Sequence, residues 1–483
     1  MVRSFTEREV RELIAKATAP LLKRIAELEA VLGRLQGENE RLKSQLAAAR
    51  KNSSTSSKPP SSDFLQATVT PQGGRKRRGR KRRPGGQPGH ARHERPPFPP
   101  ERIDDVYEYF HEACPDCGGR LRGSRQPDRV IQQAELVPQP IRIEEHRALA
   151  QWCSSCRKTH RATLPPEVVK AGLVGPRLTA LVGYLKGACH ASYMTIADFF
   201  GDVLDLPLST GQLVKLTGKL ADALDPMYEE LRAALPRQDY VGADETGHPE
   251  NGRNLWTWCF HAPGEDPFAL FRIDRSRGAG VIRQMLGEAF AGVLGCDYFS
   301  AYRKFLRETS VRMQFCWAHL IRDVRFLTTL RDPATRRFGE RLLTRIGALF
   351  RAWHRRGTGS TIASRRLARC RDAFLKTVRR PPQRAEAQAI ARRFREHHDE
   401  YFQFLQCPNI EPTNNASERT VRFVVIDRKI TQGTRSQRGR RWCERIWTAV
   451  ATCTRQDRSL FEFLLQAMHA HLTNTPPPSL LKP

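Results

Sequence analysis

The chain contains no run approaching the roughly 20 consecutive apolar residues of a bilayer-crossing helix, so nothing suggests a membrane-spanning protein. Its first residues, MVRSFTEREVRELIAKA, are charged throughout and lack the apolar core of about 7 to 15 residues that marks a secretory leader. The expectation is a cytoplasmic, nucleoid-associated protein with no membrane partner. In that compartment Asn415-Ala416-Ser417 has no meaning as a glycosylation acceptor. Acidic residues are few beside basic ones: 51 Asp and Glu against 81 Lys and Arg give a net charge of +30. Such an excess favours a polyanionic partner through phosphate contacts and counterion release. Paired cysteines are also few, because only two Cys-x-x-Cys pairs stand among the 12 cysteines. In a reducing cytosol this excludes a disulfide framework and points the pairs toward metal.

What is present divides the chain into segments. Residues 1–50 carry a heptad pattern, with Leu21, Leu28, Leu35 and Leu42 at d and Ile25, Leu32, Asn39 and Leu46 at a. A single Asn at a favours a parallel dimer in one register, and Arg24 with Glu29 and Glu38 with Lys43 are attractive flanking pairs. The competing reading is a helix packed on its own domain, and Gly33 and Gly37 weaken the zipper. Residues 51–100 read as a disordered basic linker, with Ser and Pro at the start and then RKRRGRKRR, eight basic residues in nine. Arg75, Lys76, Arg77, Arg78, Arg80, Lys81, Arg82 and Arg83 are read as a DNA arm in preference to a solvated tail or a targeting signal.

Residues 101–165 contain CPDCGG and CSSC, whose Cys114, Cys117, Cys153 and Cys156 fit a tetrahedral four-thiolate zinc ribbon with strand-like sequence between the knuckles. Such a closed Zn²⁺ site is structural, and His111 and His160 are read as bystanders. Residues 166–233 are helical. Within them Ser209 or Thr210 can cap the second helix of a helix-turn-helix that offers Gln212, Lys215 and Lys219 to a DNA groove. The plainer reading is a helical cap on the core.

The segment 234–328 has the order strand, strand, strand, helix, strand of a ribonuclease-H-like α/β core. DYVGADETG and AGVLGCDYFSAY supply the first and fourth strands, which lie side by side in such a core and bring Asp244 and Asp297 together. Alternation sends Glu245 to the other face. Two close carboxylates raise one another's pKa unless a cation separates them, and two Mg²⁺ ions (or Mn²⁺) suit both the oxygen ligands and in-line phosphoryl displacement. Taken singly, an acidic residue at a strand end is usually a turn or cap residue. Trp256, Trp258 and Trp317 are read as core, and Cys316 with His319 as either a metal pair or ordinary packing. Residues 329–408 form an Arg-rich helical insertion expected to cover the site and grip DNA, 409–470 a core helix and C-terminal part, and 471–483 a tail.

GADETG, CDYFSAY, CWAHLIRD and PTNNASER followed by DRK, in this order, resemble the DDE transposases of the insertion sequence sixty-six family, as do the zipper, the SSKPPSSD tract, GGQPGH and the paired Cys-x-x-Cys region. The resemblance implies that Asp244, Asp297 and Glu418 are the catalytic, Mg²⁺-binding carboxylates and that Cys316 and His319 form a Cys-x-x-His block. Arg419, Arg422, Arg428 and Lys429, around and after Glu418, are expected to contact DNA. The implied fold is multidomain: N-terminal coiled coil, zinc ribbon, helical DNA-binding segment and ribonuclease-H-like α/β catalytic core with a helical insertion. The implied activity is binding of insertion-sequence ends, metal-dependent cleavage and strand transfer into target DNA, by a homodimer or higher oligomer with accessory proteins of the same element. The alternative is a non-catalytic DNA-binding regulator or an inactive transposase derivative. One local question stays open: Asn415 and Glu418 also have capping-box spacing, which would turn Glu418 toward its own helix start.

Overall fold

A computed structural model describes residues 6–49, 96–109, 111–120, 130–134, 136–137, 140–355, 361–407 and 410–482. The basic run from Arg75 to Arg83 and the GGQPGH element lie outside these residues.

Helix α1 (Glu7–Ala49) is continuous and begins well before the heptads, with Pro20 inside it. Leu21, Ile25, Leu28, Leu32, Leu35, Leu42 and Leu46 are all more than half exposed, and Asn39 is exposed with them. After the helix come two short strands, β1 (Ala150–Cys153) and β2 (Lys158–Arg161), paired antiparallel with Cys153 opposite Lys158. The strand expected between the knuckles forms only from Ala150 onward among the described residues. Pro140, which cannot donate to a ladder, stands in the described stretch that stays irregular.

Four helices follow: α2 (Pro166–Ala171), α3 (Pro176–Gly187), α4 (Tyr193–Asp202) and α5 (Thr210–Ala234). Within residues 166–187 one window is apolar enough by mean hydropathy to cross a bilayer, although Glu167, Lys170, Arg177 and Lys186 interrupt the stretch. Gly172, at φ 70°, ends α2 there and divides the stretch between two helices. Helices α3, α4 and α5 share a small core of Val182, Ile196, Phe200, Leu213 and Leu216. The cap of α5 is Ser209, whose hydroxyl accepts from the Gln212 amide at 3.2 Å.

The central sheet comprises β3 (Tyr240–Glu250), β4 (Arg253–Ala262), β5 (Phe268–Asp274), β6 (Val293–Cys296) and β7 (Arg312–Phe315), in the order β5-β4-β3-β6-β7. The first three strands are antiparallel, while β3/β6 and β6/β7 are parallel. Asn251 and Gly252 turn β3 into β4 with φ of 46° and 75°, the positive values that a two-residue type I′ hairpin requires. Helix α6 (Ala279–Leu286) crosses from β5 to β6, and α7 (Ser300–Glu308) from β6 to β7. The chain is thus a multidomain α/β protein with a long N-terminal helix and a mixed sheet.

Beyond the sheet run α8 (Trp317–Thr328), α9 (Pro333–His354), α10 (Thr361–Val378), α11 (Ala385–Glu396) and α12 (His398–Gln406). They are joined to the core by Trp317, fully buried among Phe350, Phe374, Phe394, Tyr401 and Phe402, with its indole N–H donating to the Tyr401 carbonyl at 2.6 Å. The chain ends with α13 (Asn415–Thr431), α14 (Gln437–Arg455) and α15 (Leu460–Thr473). Helix α14 closes the outer edge of β5. Glu444, Thr448 and Thr452, one turn apart, accept from the amides of Ile273, Phe271 and Ala269 at 2.7, 3.2 and 3.2 Å. The helical period of four and the strand period of two match here, so an edge that would template another strand is satisfied within the chain.

Candidate active site

Asp244 and Asp297 are set side by side by strand register. Gly242 of β3 pairs with Gly295 of β6, and each aspartate lies two residues further along the chain, Asp244 within β3 and Asp297 one residue past the end of β6, the two-residue step that returns a side chain to the same face. The two glycines are required by close packing: a Cβ on Gly242 would collide with the His261 ring and one on Gly295 with the Tyr240 hydroxyl. Both aspartates are half-buried. One oxygen of each is held locally, Asp244 Oδ1 by the Glu245 amide at 3.0 Å and Asp297 Oδ1 by the Phe299 amide at 2.9 Å. Burial holds the Asp244 carboxyl well above the usual range, reinforced by the charges of Glu245, Asp297 and Glu418. Asp297 is pushed up to about 7 by burial and then by Glu245, against the Phe299 amide and the guanidinium groups of Arg277 and Arg393.

Glu245 faces away from its neighbour, toward α7, and its side chain is only 2% exposed. It accepts from Arg277 at 2.8 Å and from the Tyr302 hydroxyl at 2.7 Å. Arg277 in turn lies 3.8 Å from the Phe299 ring centre and 4.3 Å from that of Trp256. A buried carboxylate is therefore paired, hydrogen-bonded and walled by aromatics, and its field still reaches both aspartates. Nothing in local spacing announces this network, because Arg277 and Tyr302 come from separate loops and helices. Of the tryptophans, Trp258 and Trp317 are fully buried and Trp256 is half-buried under Arg277.

Glu418 stands in the first turn of α13, and Asn414 positions that turn. Its side-chain amide donates to the Ala243 carbonyl at 2.7 Å, its backbone amide points at the Cys316 sulfur at 3.1 Å, and its Oδ1 accepts from the Ser417 hydroxyl at 2.5 Å. Ser417 also lies 2.8 Å from His261 Nδ1, which is 3.2 Å from the Gly242 carbonyl. A carbonyl can only accept, so Nδ1 carries the proton in this tautomer. The capping box expected at Asn415 does not form. Asn414 occupies the cap position without a side-chain cap bond: its Oδ1, the atom that would accept one, takes the Ser417 hydroxyl instead. Glu418 turns neither to its helix start nor to the aspartates. Arg322 Nη2 approaches its two oxygens at 3.1 and 3.4 Å, and His319 Nδ1 lies 3.5 Å away. Among the described residues, the group of three metal-ligating atoms within 4.8 Å of one another is Cys316, His319 and Glu418, not the carboxylate trio.

Residues 171–441, more than half of the chain, match the family described as Transposase IS66 family. The chain belongs to the IS66 transposase family. Residues 2–96 match a family of unknown function, DUF6444. An uncharacterized protein, y4hP, of Sinorhizobium fredii is 24% identical over 221 residues, a match that spans 43% of this chain and 40% of that relative. Membership covers the sheet, both aspartates, the Cys316 block and Glu418, and leaves the knuckles outside the matched span.

The remaining candidate residues of this family member lie both outside that span, at the knuckles, and within it. At the first knuckle, Cys114 exchanges backbone hydrogen bonds of 2.9 Å with Gly118 and Gly119, and amides of Asp116 and Cys117 aimed at its sulfur lower the thiol pKa. The second knuckle is the turn of the β1/β2 hairpin, where Cys156 Sγ lies 3.2 Å from His160 Nε2; the Cys153 side chain is outside the described residues. Lys215 is exposed on α5. Lys219 instead donates to the Lys170 and Ala171 carbonyls at 2.7 and 3.0 Å, closing the end of α2. Arg428 bonds Thr246 Oγ1 at 3.1 Å and the Gly247 carbonyl, while Arg419, Arg422 and Lys429 are exposed.

Proposed function

We propose that the chain is a DDE transposase that cuts the ends of its insertion sequence and joins them to target DNA, with Asp244, Asp297 and Glu418 as the catalytic carboxylates. The observation that carries this reading is the parallel register of β3 and β6, in which Gly242 faces Gly295 two residues before Asp244, within β3, and Asp297, just past the end of β6. The strand order, with the first three strands antiparallel and the first, fourth and fifth parallel, supports a ribonuclease-H-like core.

The donor set fits hard divalent cations. Asp244 and Asp297 offer only oxygen, and their mutual repulsion is the kind that a cation relieves. Bound Mg²⁺ (or Mn²⁺) would supply charge stabilisation at the attacking and leaving oxygens of phosphoryl transfer. Asp244 and Asp297 would hold the ions, and Glu418 would complete the set by leaving Arg322. In this reading the exposed Arg419, Arg422 and Lys429 contact DNA phosphates beside the site, the four knuckle cysteines hold a structural Zn²⁺, and the exposed α1 seam forms a parallel dimer. The test is strand transfer on labelled end DNA with Mg²⁺: wild-type chain joins ends to target, and Asp244→Asn does not. Retained joining in Asp244→Asn sinks the assignment.

A further inference from the structure

The geometry points to a second metal site of different chemistry, formed by Cys316, His319 and Glu418, that takes a zinc-like divalent cation. Sulfur, nitrogen and oxygen donors meet there within 4.8 Å. Mg²⁺ avoids sulfur, whereas Zn²⁺ takes Cys, His and carboxylate together in tetrahedral sites and leaves a fourth position to water.

Two further observations favour a ligand. Cys316 occupies the cap position of α8, its sulfur accepts the Asn414 backbone amide at 3.1 Å, and the nearby amides of His319 and Ala318 act in the same direction to lower its thiol pKa. The knuckle at Cys114 has the same pattern, with amides of Asp116 and Cys117 directed at its sulfur. Burial, with the Glu418 charge, pushes the free Cys316 thiol up to about 11, and these amides and the helix start act against that rise. Beside it, His319 Nδ1 is buried without a hydrogen-bond partner although it faces Glu418 Oε1 at 3.5 Å. An unsatisfied buried ring nitrogen is costly, and a cation between it, the sulfur and the carboxylate removes that cost.

Charge and proton balance are simple. The Cys316 thiol gives up its proton to water, and thiolate and carboxylate then neutralise the dication. Arg322 remains on Glu418 as the outer partner that orients a ligating carboxylate. The site shares Glu418 with the trio proposed above, so an ion here holds Glu418 away from Asp244 and Asp297. That consequence for activity rests on the transposase reading; the site itself does not.

The test uses the full chain and Co²⁺ as a spectroscopic probe, with bound metal counted per chain. We expect Cys316→Ser to bind one equivalent fewer than wild type and to lose one thiolate's share of the charge-transfer absorbance. His319→Gln should weaken that equivalent at least ~10-fold, the lower end for disturbing a metal's ligand environment. Asp244→Asn should leave it unchanged. Because Cys316 is buried and its variant can fail to fold, His319→Gln carries the test by itself in that event. Equal stoichiometry and spectra in wild type and His319→Gln overturn the site. Strand transfer surviving in Asp244→Asn, with the Co²⁺ result intact, overturns the catalytic reading and not this one.

Discussion

The side-chain amide of Asn414 donates to the carbonyl of Ala243 at 2.7 Å, tying the turn before Glu418 to the residue before Asp244. One hydrogen bond thus links the helix that carries the third carboxylate to the strand that carries the first.

Replacing Asn414 by Asp removes that donor, leaves the Ala243 carbonyl buried without it and adds a negative charge near two carboxylates. The expected cost is about 1 to 3 kcal/mol in denaturant unfolding. Strand transfer should fall further than the stability loss explains, because Glu418 loses its fixed approach. Asn414→Asp with full activity would show that α13 is positioned by other contacts.

Among the carboxylates, Asp297→Asn and Glu418→Gln should each lower strand transfer by on the order of 10²-fold or more, the scale for removing a preorganised electrostatic group. DNA binding measured by gel shift should stay intact in both. Arg322→Gln should move the other way in one respect, reaching half-maximal activity at lower Mg²⁺, since Glu418 no longer leaves an ion pair at 3.1 Å to join the aspartates. An unchanged Mg²⁺ midpoint would argue that Arg322 does not hold Glu418 back.

Acid sensitivity follows from two buried histidines. Burial, with nearby guanidinium charge, lowers His248 and His261 to about 4. His248 is held neutral between Thr257 at 3.2 Å and Thr434 at 3.0 Å. The unfolded chain binds these protons first as pH falls through about 6.5, so stability is full above that value and is lost between about 6.5 and 4. The loss is about 3 kcal/mol per histidine over the whole interval. Urea midpoints from pH 7 to pH 4 measure it, and His248→Gln should remove one proton's worth of the slope.

The exposed seam of α1 predicts self-association. Leu28 and Leu35 are 53% and 58% exposed on one helix, a surface that a parallel partner would bury. Leu28→Glu with Leu35→Glu should convert the full chain to a slower-associating or monomeric form in sedimentation, with the circular dichroism of the remaining domains unchanged. A wild-type chain monomeric at high concentration removes the zipper.

Much of this protein was legible locally. The heptads, the Cys-x-x-Cys knuckles and the order of strands and helices are periodicities and spacings within short windows, and the alternation that separates Asp244 from Glu245 follows from strand geometry alone. Even the closeness of Asp244 and Asp297 follows once the first and fourth strands are neighbours. What Glu418 does is different in kind. Its turn is fixed by Asn414 against Ala243 and Cys316, and its carboxylate is taken by Arg322 and His319, partners from three distant segments. A capping box is a local rule, and Asn415 does not form it here because Asn414, tied to the Ala243 carbonyl, takes the cap position instead. The sequence supplied the carboxylates; only the packing of α8 and α13 against the sheet decided where the third one points.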